Sequence, residues 1–383
     1  MNKKKILIRI GSLRHGGAEK ALINFLKNIP PDKYEIDLLL NLYSGQYIDE
    51  VPTWVNVYYL IRGEMITTNR IQDIPVKVVR VLYQKMFLLF PSLLYRIILK
   101  GKRYDVELGA IHGIYKEILS SPRKASKKII WIQNDIFSLK EYTPDIIRQF
   151  FRFNKIMVIS NKLEEEILKL ADSEKERQSV VKIYNPIDRN DTLQKANAFI
   201  EDMPFNNSGL PLFISVGTVY PQKGYDRLLY VHRKLWEDGF HHHLVIIGDG
   251  YDFENMKSLI DKLNIAQSVK MLGYRSNPYP YLRQSDFYIM SSRHEGFPTI
   301  IAEALLLEKP VCATDISGIK DLLQDGKLGI ITPNSEEGIY DGMKKLITEK
   351  YLSEKYKSAI QSTQLPFVLE KSVQHLQEII DHL

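Results

Sequence analysis

Two carboxylates eight residues apart stand out in SSRHEGFPTIIAEALLLEKPVCATDISG, residues 291–318. Glu303 sits inside TIIAEALLL, a run too apolar to face water, and Glu295 lies in the turn before it. A buried carboxylate is costly unless hydrogen-bond donors surround it. Suitable donors are the vicinal hydroxyls of a sugar or polar groups elsewhere in the chain. Pro298 and Thr299 stand where a helix begins, so the amides of Gly296, Phe297 and Thr299 would point beyond the end of the preceding strand, an arrangement that favours anions. Glu295 would then face the reacting end of the same ligand. Either acid taken alone also fits an ordinary surface or helix-start glutamate.

Other groups would extend such a site. In GTVYPQKGYD, Lys223 precedes Gly224 just ahead of a helical stretch. There an ammonium and free backbone amides would together hold a diphosphate. Lysines beside glycines are common on surfaces, so this pattern is weak alone. GDG, with Gly248 and Gly250, ends another strand on what would be the same rim and is equally good turn chemistry. Near the amino end GSLRHGGAE supplies Gly11, Gly16 and Gly17 in a spacing that departs from G-x-G-x-x-G, which disfavours a hydride-transfer cofactor. These glycines also serve simply to tighten a turn.

Residues so far apart need a scaffold that gathers strand ends. KKKILIRIGSLRHGGAEKALINFLKNI reads as buried strand, glycine-rich loop and amphipathic helix, with Ala21, Leu22, Phe25 and Leu26 on one face. EIDLLLNLY, DVELGAIHG, KKIIWIQND and KIMVISN follow as strands between helical stretches. That alternation builds a parallel sheet covered on both faces. Residues 186–211, PIDRNDTLQKANAFIEDMPFNNSGLP, carry no sustained apolar period and read as a linker. LPLFISVGTVYPQKGYDRLLYVHRKL then restarts the opening pattern, and HHLVIIGDG, SVKMLGY, DFYIMSS and PVCAT continue it. The expectation is two doubly wound α/β domains in tandem, 1–187 and 188–366, which suits 383 residues of 44% hydrophobic content.

The single cysteine, Cys312, lies in PVCAT and reads as a small buried hydrophobe; no intrachain disulfide is possible, and a reducing compartment fits. The start MNKKKILIRIGS has three apolar residues before Arg9, short of a secretory signal, and the longest charge-free apolar run, MFLLFPSLLY, is ten residues with a proline. The expected location is cytoplasmic. Net charge is +6, yet residues 1–187 hold 31 Lys and Arg against 20 Asp and Glu, leaving 21 against 26 afterwards. The basic first half is expected to face something anionic. His241, His242 and His243 alternate sides in an extended chain and so do not converge on a metal.

HEGFPTIIAEAL with its paired acids, KG in GTVYPQKGYD, GDG, NP in IYNPID and the GGAE loop together resemble the retaining glycosyltransferases of the family-four group, over nearly the whole chain and in the right order. The resemblance implies the GT-B fold, two Rossmann-like domains facing across a cleft, with a final helix within 367–383 crossing back to the first. It implies a nucleotide-sugar donor held mainly by the second domain. Glu303 would bind the ribose hydroxyls, Glu295 the hexose, the stretch Gly296, Phe297, Pro298 and Thr299 the sugar and diphosphate through its free backbone amides, and Lys223 the diphosphate. Gly17, Gly248, Gly250 and Tyr274 fall on the same donor side. No metal, separate cofactor or nucleic acid is implied.

Two positions depart from the family pattern. Thr218 stands where an arginine is usual, leaving Lys223 more of the diphosphate charge. Gln133 stands where many relatives have a histidine, and an amide hydrogen-bonds but does not act as a general base. His112 is the nearest alternative on the acceptor side, though a lone histidine after a strand is more often structural. The family's front-face retention tolerates that loss, because the departing phosphate helps to take the acceptor's proton while the protein positions the reactants and stabilises the leaving charge. The implied reaction moves a hexose, with a uridine donor, to a glycan or lipid-linked acceptor. A nucleotide-sugar epimerase of the same fold and a non-catalytic membrane-peripheral nucleotide-sugar binding protein remain the rivals.

Between Asp73 and Asp105 the chain has no acid, while Lys77, Arg80, Lys85, Arg96, Lys100, Lys102 and Arg103 lie among Leu, Phe, Tyr and Ile. Residues 76–103 thus read as two amphipathic helices joined at Pro91, with Lys77 and Arg80 sharing one face and Arg96, Lys100 and Arg103 the other. Such helices suit an anionic membrane surface, here the inner face of the cytoplasmic membrane, or a core from which cations snorkel to solvent.

Overall fold

The computed structural model describes residues 3–14, 16–63, 74–205 and 208–383; of Pro75 and Val76 it describes the backbone alone. His15 of the first glycine-rich loop and Asn206 and Asn207 of the expected linker lie outside the described residues. The chain divides into two units, residues 1–186 with 367–383 and residues 187–366.

The first unit holds β1 (Lys4–Ile10), β2 (Tyr34–Tyr43), β3 (Asn56–Arg62), β4 (Val106–Gly109), β5 (Lys127–Trp131), β6 (Lys155–Val158) and β7 (Val180–Lys182), in the spatial order β3-β2-β1-β4-β5-β6-β7. The second holds β8 (Leu212–Val216), β9 (His243–Ile247), β10 (Val269–Met271), β11 (Phe287–Met290), β12 (Val311–Thr314) and β13 (Gly329–Thr332), ordered β10-β9-β8-β11-β12-β13. Described strand pairs are parallel throughout. Helices cover both faces of such sheets, which is why the strands are apolar runs rather than alternations. Strand order reverses between β1 and β4 and between β8 and β11. At such a reversal the loops leaving neighbouring strands diverge to opposite faces and open a crevice at the carboxyl ends.

In the second unit Phe213, Leu228, Leu244, Ile246, Ile289 and Met343 form the buried cluster, joined by Cys312. Burial pushes the Cys312 thiol up to about 12. His242 is wholly buried, and its Nε2 lies 2.8 Å from His232 Nδ1. His242 Nδ1 reaches the Phe240 carbonyl at 2.8 Å and His232 Nε2 reaches Ser268 Oγ at 2.8 Å. A carbonyl only accepts, so His242 carries its proton on Nδ1, and the chain of bonds is complete with both rings neutral.

In the first unit α1 (Gly17–Asn28) packs against the helix Leu369–Asp381. Lys4 Nζ donates to the Ile380 carbonyl at 2.5 Å and the Tyr34 hydroxyl donates to Asp381 Oδ1 at 2.7 Å. The chain's last helix is thus part of the first unit's fabric.

Two sequence expectations need correction. The stretch read as a linker contains a helix, Arg189–Ala196, capped by the Asp188 carboxylate accepting from Asp191 N at 2.9 Å. Only Thr192 and Ala196 on it are buried, a stripe too narrow and polar to register as an apolar period. The two helices about Pro91 are present, α2 (Ile74–Leu89) and α3 (Pro91–Ile97), bent by 98°. Lys100 and Arg103, however, lie beyond α3 and do not share a helical face with Arg96. Lys100 at φ +50° and Gly101 at φ +75° end the helical path.

Candidate active site

The β8–β11 crossover places two distant motifs side by side. Phe287 and Tyr288 of β11 pair with Phe213 and Ile214 of β8, so the loop Gly217–Gly224 and the loop Ser291–Pro298 leave adjacent strand ends. Lys223 Nζ donates to Glu295 Oε1 at 2.5 Å, with the two side chains 20% and 12% exposed. Ser292 Oγ donates to the same carboxylate oxygen at 2.9 Å, and Gln222 Nε2 reaches Oε2 at 3.4 Å and the His294 carbonyl at 2.9 Å. An ammonium and a carboxylate are held half-buried at a strand-end crevice, where their charges act through less water than at an open surface.

Backbone contacts zip the two loops together. Gly224, at φ +65°, lies so near Ser291 that a Cβ there would come within 2.3 Å of its carbonyl oxygen. Ser291 Oγ donates to the Lys223 carbonyl at 2.9 Å, and Arg293 N donates to the Gln222 carbonyl at 2.7 Å. Arg227, 7% exposed on the helix Tyr225–Glu237, donates from Nε and Nη2 to the Ser291 carbonyl at 3.0 and 2.7 Å. Its Nη2 also reaches the Ser292 carbonyl at 2.9 Å and Asn334 Oδ1 at 2.6 Å. Burial draws the Arg227 guanidinium down from its usual value. Arg293 grips Asp226 through two parallel bonds of 2.8 and 2.7 Å, and these outweigh the upward push of burial on that carboxylate.

Glu303 occupies the second turn of the helix Thr299–Leu306, which Pro298 caps, and is 4% exposed. The wholly buried Tyr288 hydroxyl is pushed well above its usual value, first by burial and then by the charges of Tyr225, Glu295 and Glu303. Both acids therefore lie within electrostatic reach of one side chain on β11. Phe297 is buried beside them along the loop, and Gly296, Pro298 and Thr299 carry the chain from Glu295 into the helix.

The remaining donor-side residues line the same edge of this sheet. The Thr218 carbonyl accepts from Tyr220 N at 2.9 Å, and Gly248 N donates to the Gly273 carbonyl at 2.9 Å, next to exposed Tyr274. Gly250 follows in the same turn after β9. Gly17, His112 and Gln133 belong to the first unit. Gly17 opens α1 after the extended Gly16. His112 follows β4, is 8% exposed, meets Tyr142 edge-on at 5.2 Å, and is pushed down to about 4 by burial, against an opposing pull from Glu141. Its Nδ1 is buried without a partner, as are both amide atoms of Gln133, after β5, and Asn185 Oδ1, after β7. Buried polar atoms are nearly always satisfied in the functioning protein, and these three residues follow β4, β5 and β7 of one sheet, although Arg9 Nε, Trp131 Nε1, Glu166 Oε2 and His243 Nδ1 are also without a partner.

Sequence reasoning missed Arg227, the Asp226–Arg293 pair and Ser292. The one signal was a charged pair, Asp226 and Arg227, opening a helix whose next residues, Leu228 and Leu229, are core. Among the described residues no group of three or more His, Cys, Asp or Glu is placed to hold a metal ion.

Residues 199–364 match the family model described as Glycosyl transferases group 1. An uncharacterized glycosyltransferase of Methanocaldococcus jannaschii is 28% identical over 299 residues, 67% of this chain and 72% of the relative. An N-acetylgalactosamine-N,N'-diacetylbacillosaminyl-diphospho-undecaprenol 4-alpha-N-acetylgalactosaminyltransferase of Campylobacter jejuni is 30% identical over 178 residues, 46% of each chain, so the match spans about half of it. Among solved structures, Anabaena Alr3699/HepE in complex with UDP and glucose aligns over 99% of this chain and 100% of its own with a TM-score of 0.70 and 18% identity, a likeness of fold. Two parallel Rossmann-like units, the match of residues 199–364 to that family model and the similarity to these relatives together support a glycosyltransferase of GT-B fold.

Proposed function

We propose that the protein moves a hexose from a uridine diphosphate sugar to a glycan or lipid-linked acceptor, with retention of anomeric configuration, in building a cell-surface polysaccharide or glycoconjugate. The observation that carries this reading is the Lys223–Glu295 pair, 2.5 Å apart at the β8–β11 crossover. In the reaction the bond from the sugar C1 to the diphosphate oxygen breaks, and the bond from C1 to the acceptor oxygen forms on the same face. The acceptor's proton passes to a departing phosphate oxygen. Lys223, beside the turn that ends in Gly224, would meet the charge that grows on the diphosphate, a preorganised electrostatic contribution. Glu295 would hold the hexose hydroxyls, and Glu303 the ribose hydroxyls. The scheme uses no metal and no cofactor beyond the nucleotide sugar.

On the acceptor side, Gln133 offers a donor and an acceptor to a hydroxyl, and neutral His112 offers Nδ1. The Campylobacter relative's name specifies a diphospho-undecaprenol-linked glycan, which supports a lipid-linked acceptor. The test is incubation with a panel of nucleotide sugars, with and without glycan acceptors, followed by assignment of the anomeric carbon in the product. Release of uridine diphosphate with an α-linked product from an α-linked donor is the expected result. An epimerised sugar formed without acceptor would replace this reading by an epimerase, and donor binding without turnover would replace it by a binding protein.

A further inference from the structure

The helices α2 and α3 are apolar on both sides. Inward, Tyr83, Met86 and Phe87 of α2 and Leu94, Tyr95 and Leu99 in and after α3 pack with Leu7, Leu39 and Leu60 of the sheet. Outward, Val78, Val81, Leu82 and Leu89 of α2 are 48 to 73% exposed, followed by Phe90 at 62%, Leu93 and Ile97. On α2 these positions recur at helical spacing with Lys85 among them, so they form one stripe turned away from Phe87, and Val79, 64% exposed, widens it at the start of the helix. Exposed apolar residues this close together are not the scattered kind that needs no explanation.

The surrounding charge is of one sign. Lys85, Arg96, Lys100 and Arg103 are exposed, and none makes an ion pair with an acid among the described residues. No acid lies between Asp73 and Asp105. An apolar stripe rimmed by uncompensated cations complements a surface that is greasy beneath and anionic above, which describes a phospholipid interface and not a typical protein partner. Among the described residues no single helix is long and apolar enough to span. The 16 residues of α2 extend about 24 Å, short of a hydrocarbon core of about 30 Å. Inserting the whole helix would also tear its inner stripe from the sheet.

We propose that this outer face docks the first unit on an anionic bilayer, with α2 and α3 lying in the interface and Lys85, Arg96 and Lys100 meeting lipid phosphates. The test is flotation of the full chain with vesicles of phosphatidylcholine alone or of equimolar phosphatidylcholine and phosphatidylglycerol. The chain should float with the anionic vesicles, be released by salt, and float about tenfold less with neutral ones. Changing Leu82→Asp and Leu89→Asp together should abolish flotation while the melting temperature stays near that of the parent, and a Leu82→Trp variant should show blue-shifted emission on anionic vesicles. No flotation with anionic vesicles overturns the proposal. So does a concentration-dependent dimer that the double variant dissociates while neither form binds lipid, because the face would then belong to a second copy. Donor turnover measured alongside separates this outcome from failure of the transfer reading.

A different observation carries a second inference, which rests on the proposed transfer to a glycan. Tyr220 and Tyr251, in the loops after β8 and β9, stack with ring centroids 4.7 Å apart and planes at 22°, yet stay 37% and 74% exposed. Their loops are fixed to each other: Val219 N donates to the Asp249 carbonyl at 3.0 Å and Asp252 N to the Val219 carbonyl at 3.2 Å. Gly250 approaches so closely that a Cβ there would fall 2.3 Å from the Val219 carbonyl oxygen. Neither phenolic hydroxyl bonds another described residue. Rigid aromatic rings with free hydroxyls suit a pyranose, whose C–H face rests on the ring while its alcohols bond at the rim.

Since Lys223 N donates to the Tyr220 carbonyl at 2.9 Å, the geometry points to a glycan subsite one turn from the lysine. Tyr220→Ala and Tyr251→Ala should each raise the acceptor KM about tenfold with little change in kcat, and the Phe variants should recover most of it. An unchanged acceptor KM overturns the assignment. Weakened binding of uridine diphosphate would do so too, giving the rings to the nucleobase. Absence of turnover in the parent protein would instead be a failure of the transfer reading.

Discussion

Lys223 Nζ and Glu295 Oε1 touch at 2.5 Å although 72 residues of chain separate them. Without substrate, each neutralises the other. A diphosphate would compete with Glu295 for the ammonium and leave the carboxylate free to accept from sugar hydroxyls. Lys223→Ala should therefore weaken uridine diphosphate binding and lower kcat by about a hundredfold to a thousandfold, the loss typical of a single electrostatic contact to a developing oxyanion. Glu295→Ala should chiefly slow transfer and leave nucleotide affinity intact. Calorimetry of nucleotide binding beside single-turnover rates checks both; unchanged values for Lys223→Ala would remove it from the site.

Glu303 gives a sharper test because its proposed ligand is defined. In the parent protein the 2'-deoxy nucleotide sugar should bind about tenfold more weakly than the ribo form, as expected when a site that reads a hydroxyl meets a ligand lacking it. In Glu303→Ala that discrimination should vanish. Equal discrimination in both proteins would assign the buried acid to structure.

Arg227 is predicted to position and not to react. Its guanidinium serves three carbonyl bonds and one amide bond beneath the loop that bears Glu295. Arg227→Met should cost about 3 kcal/mol of stability, since a buried charge-assisted contact is removed and its acceptors are left bare. It should lower kcat more than nucleotide affinity, and Arg227→Lys should recover part of both. Denaturant titration and steady-state rates read the two effects separately.

The His232–His242 chain predicts acid sensitivity of the second unit. Burial holds His242 down to about 4 against an ordinary value of 6.5, the Phe240 carbonyl opposing, and His232 is lowered in the same direction, with His242 and His243 adding to burial. Groups lowered on folding contribute stability that is complete above the unfolded value and lost as pH falls through the folded one. The window here is therefore from about pH 6.5 down to about pH 4, and the two rings lose their contribution across it together. Trp236, whose Nε1 donates to the His242 carbonyl at 2.7 Å, reports the transition by fluorescence. A His232→Gln, His242→Gln variant should show a flatter pH dependence, and a parent protein equally stable at both ends of the window would refute the account.

How much of this is legible in the sequence depends on range. Long apolar strands and the restart after residue 211 are local signals, and both sheets follow from them. The short strand β7, three residues, carries too little pattern to stand alone, and β3 and β13 pass unremarked as well. The acids and the lysine are visible as types, but their contact depends on strand order, which no local pattern states. The two-sided character of α2 is illegible for a related reason. An apolar helix with scattered cations reads alike whether one face or two is covered, and only the packing of Phe87 and Tyr83 inward shows what is left outside.

The helix Leu369–Asp381 closes on α1 and on the start of β1, so the first unit is finished only by residues that follow the second unit in the chain. While the ribosome is still translating the second unit, the groove on α1 stays uncovered for nearly two hundred codons. Biogenesis then has a built-in vulnerable interval, during which that surface needs shielding, and deletion of the helix Leu369–Asp381 should yield insoluble product even though it spares every group proposed for catalysis.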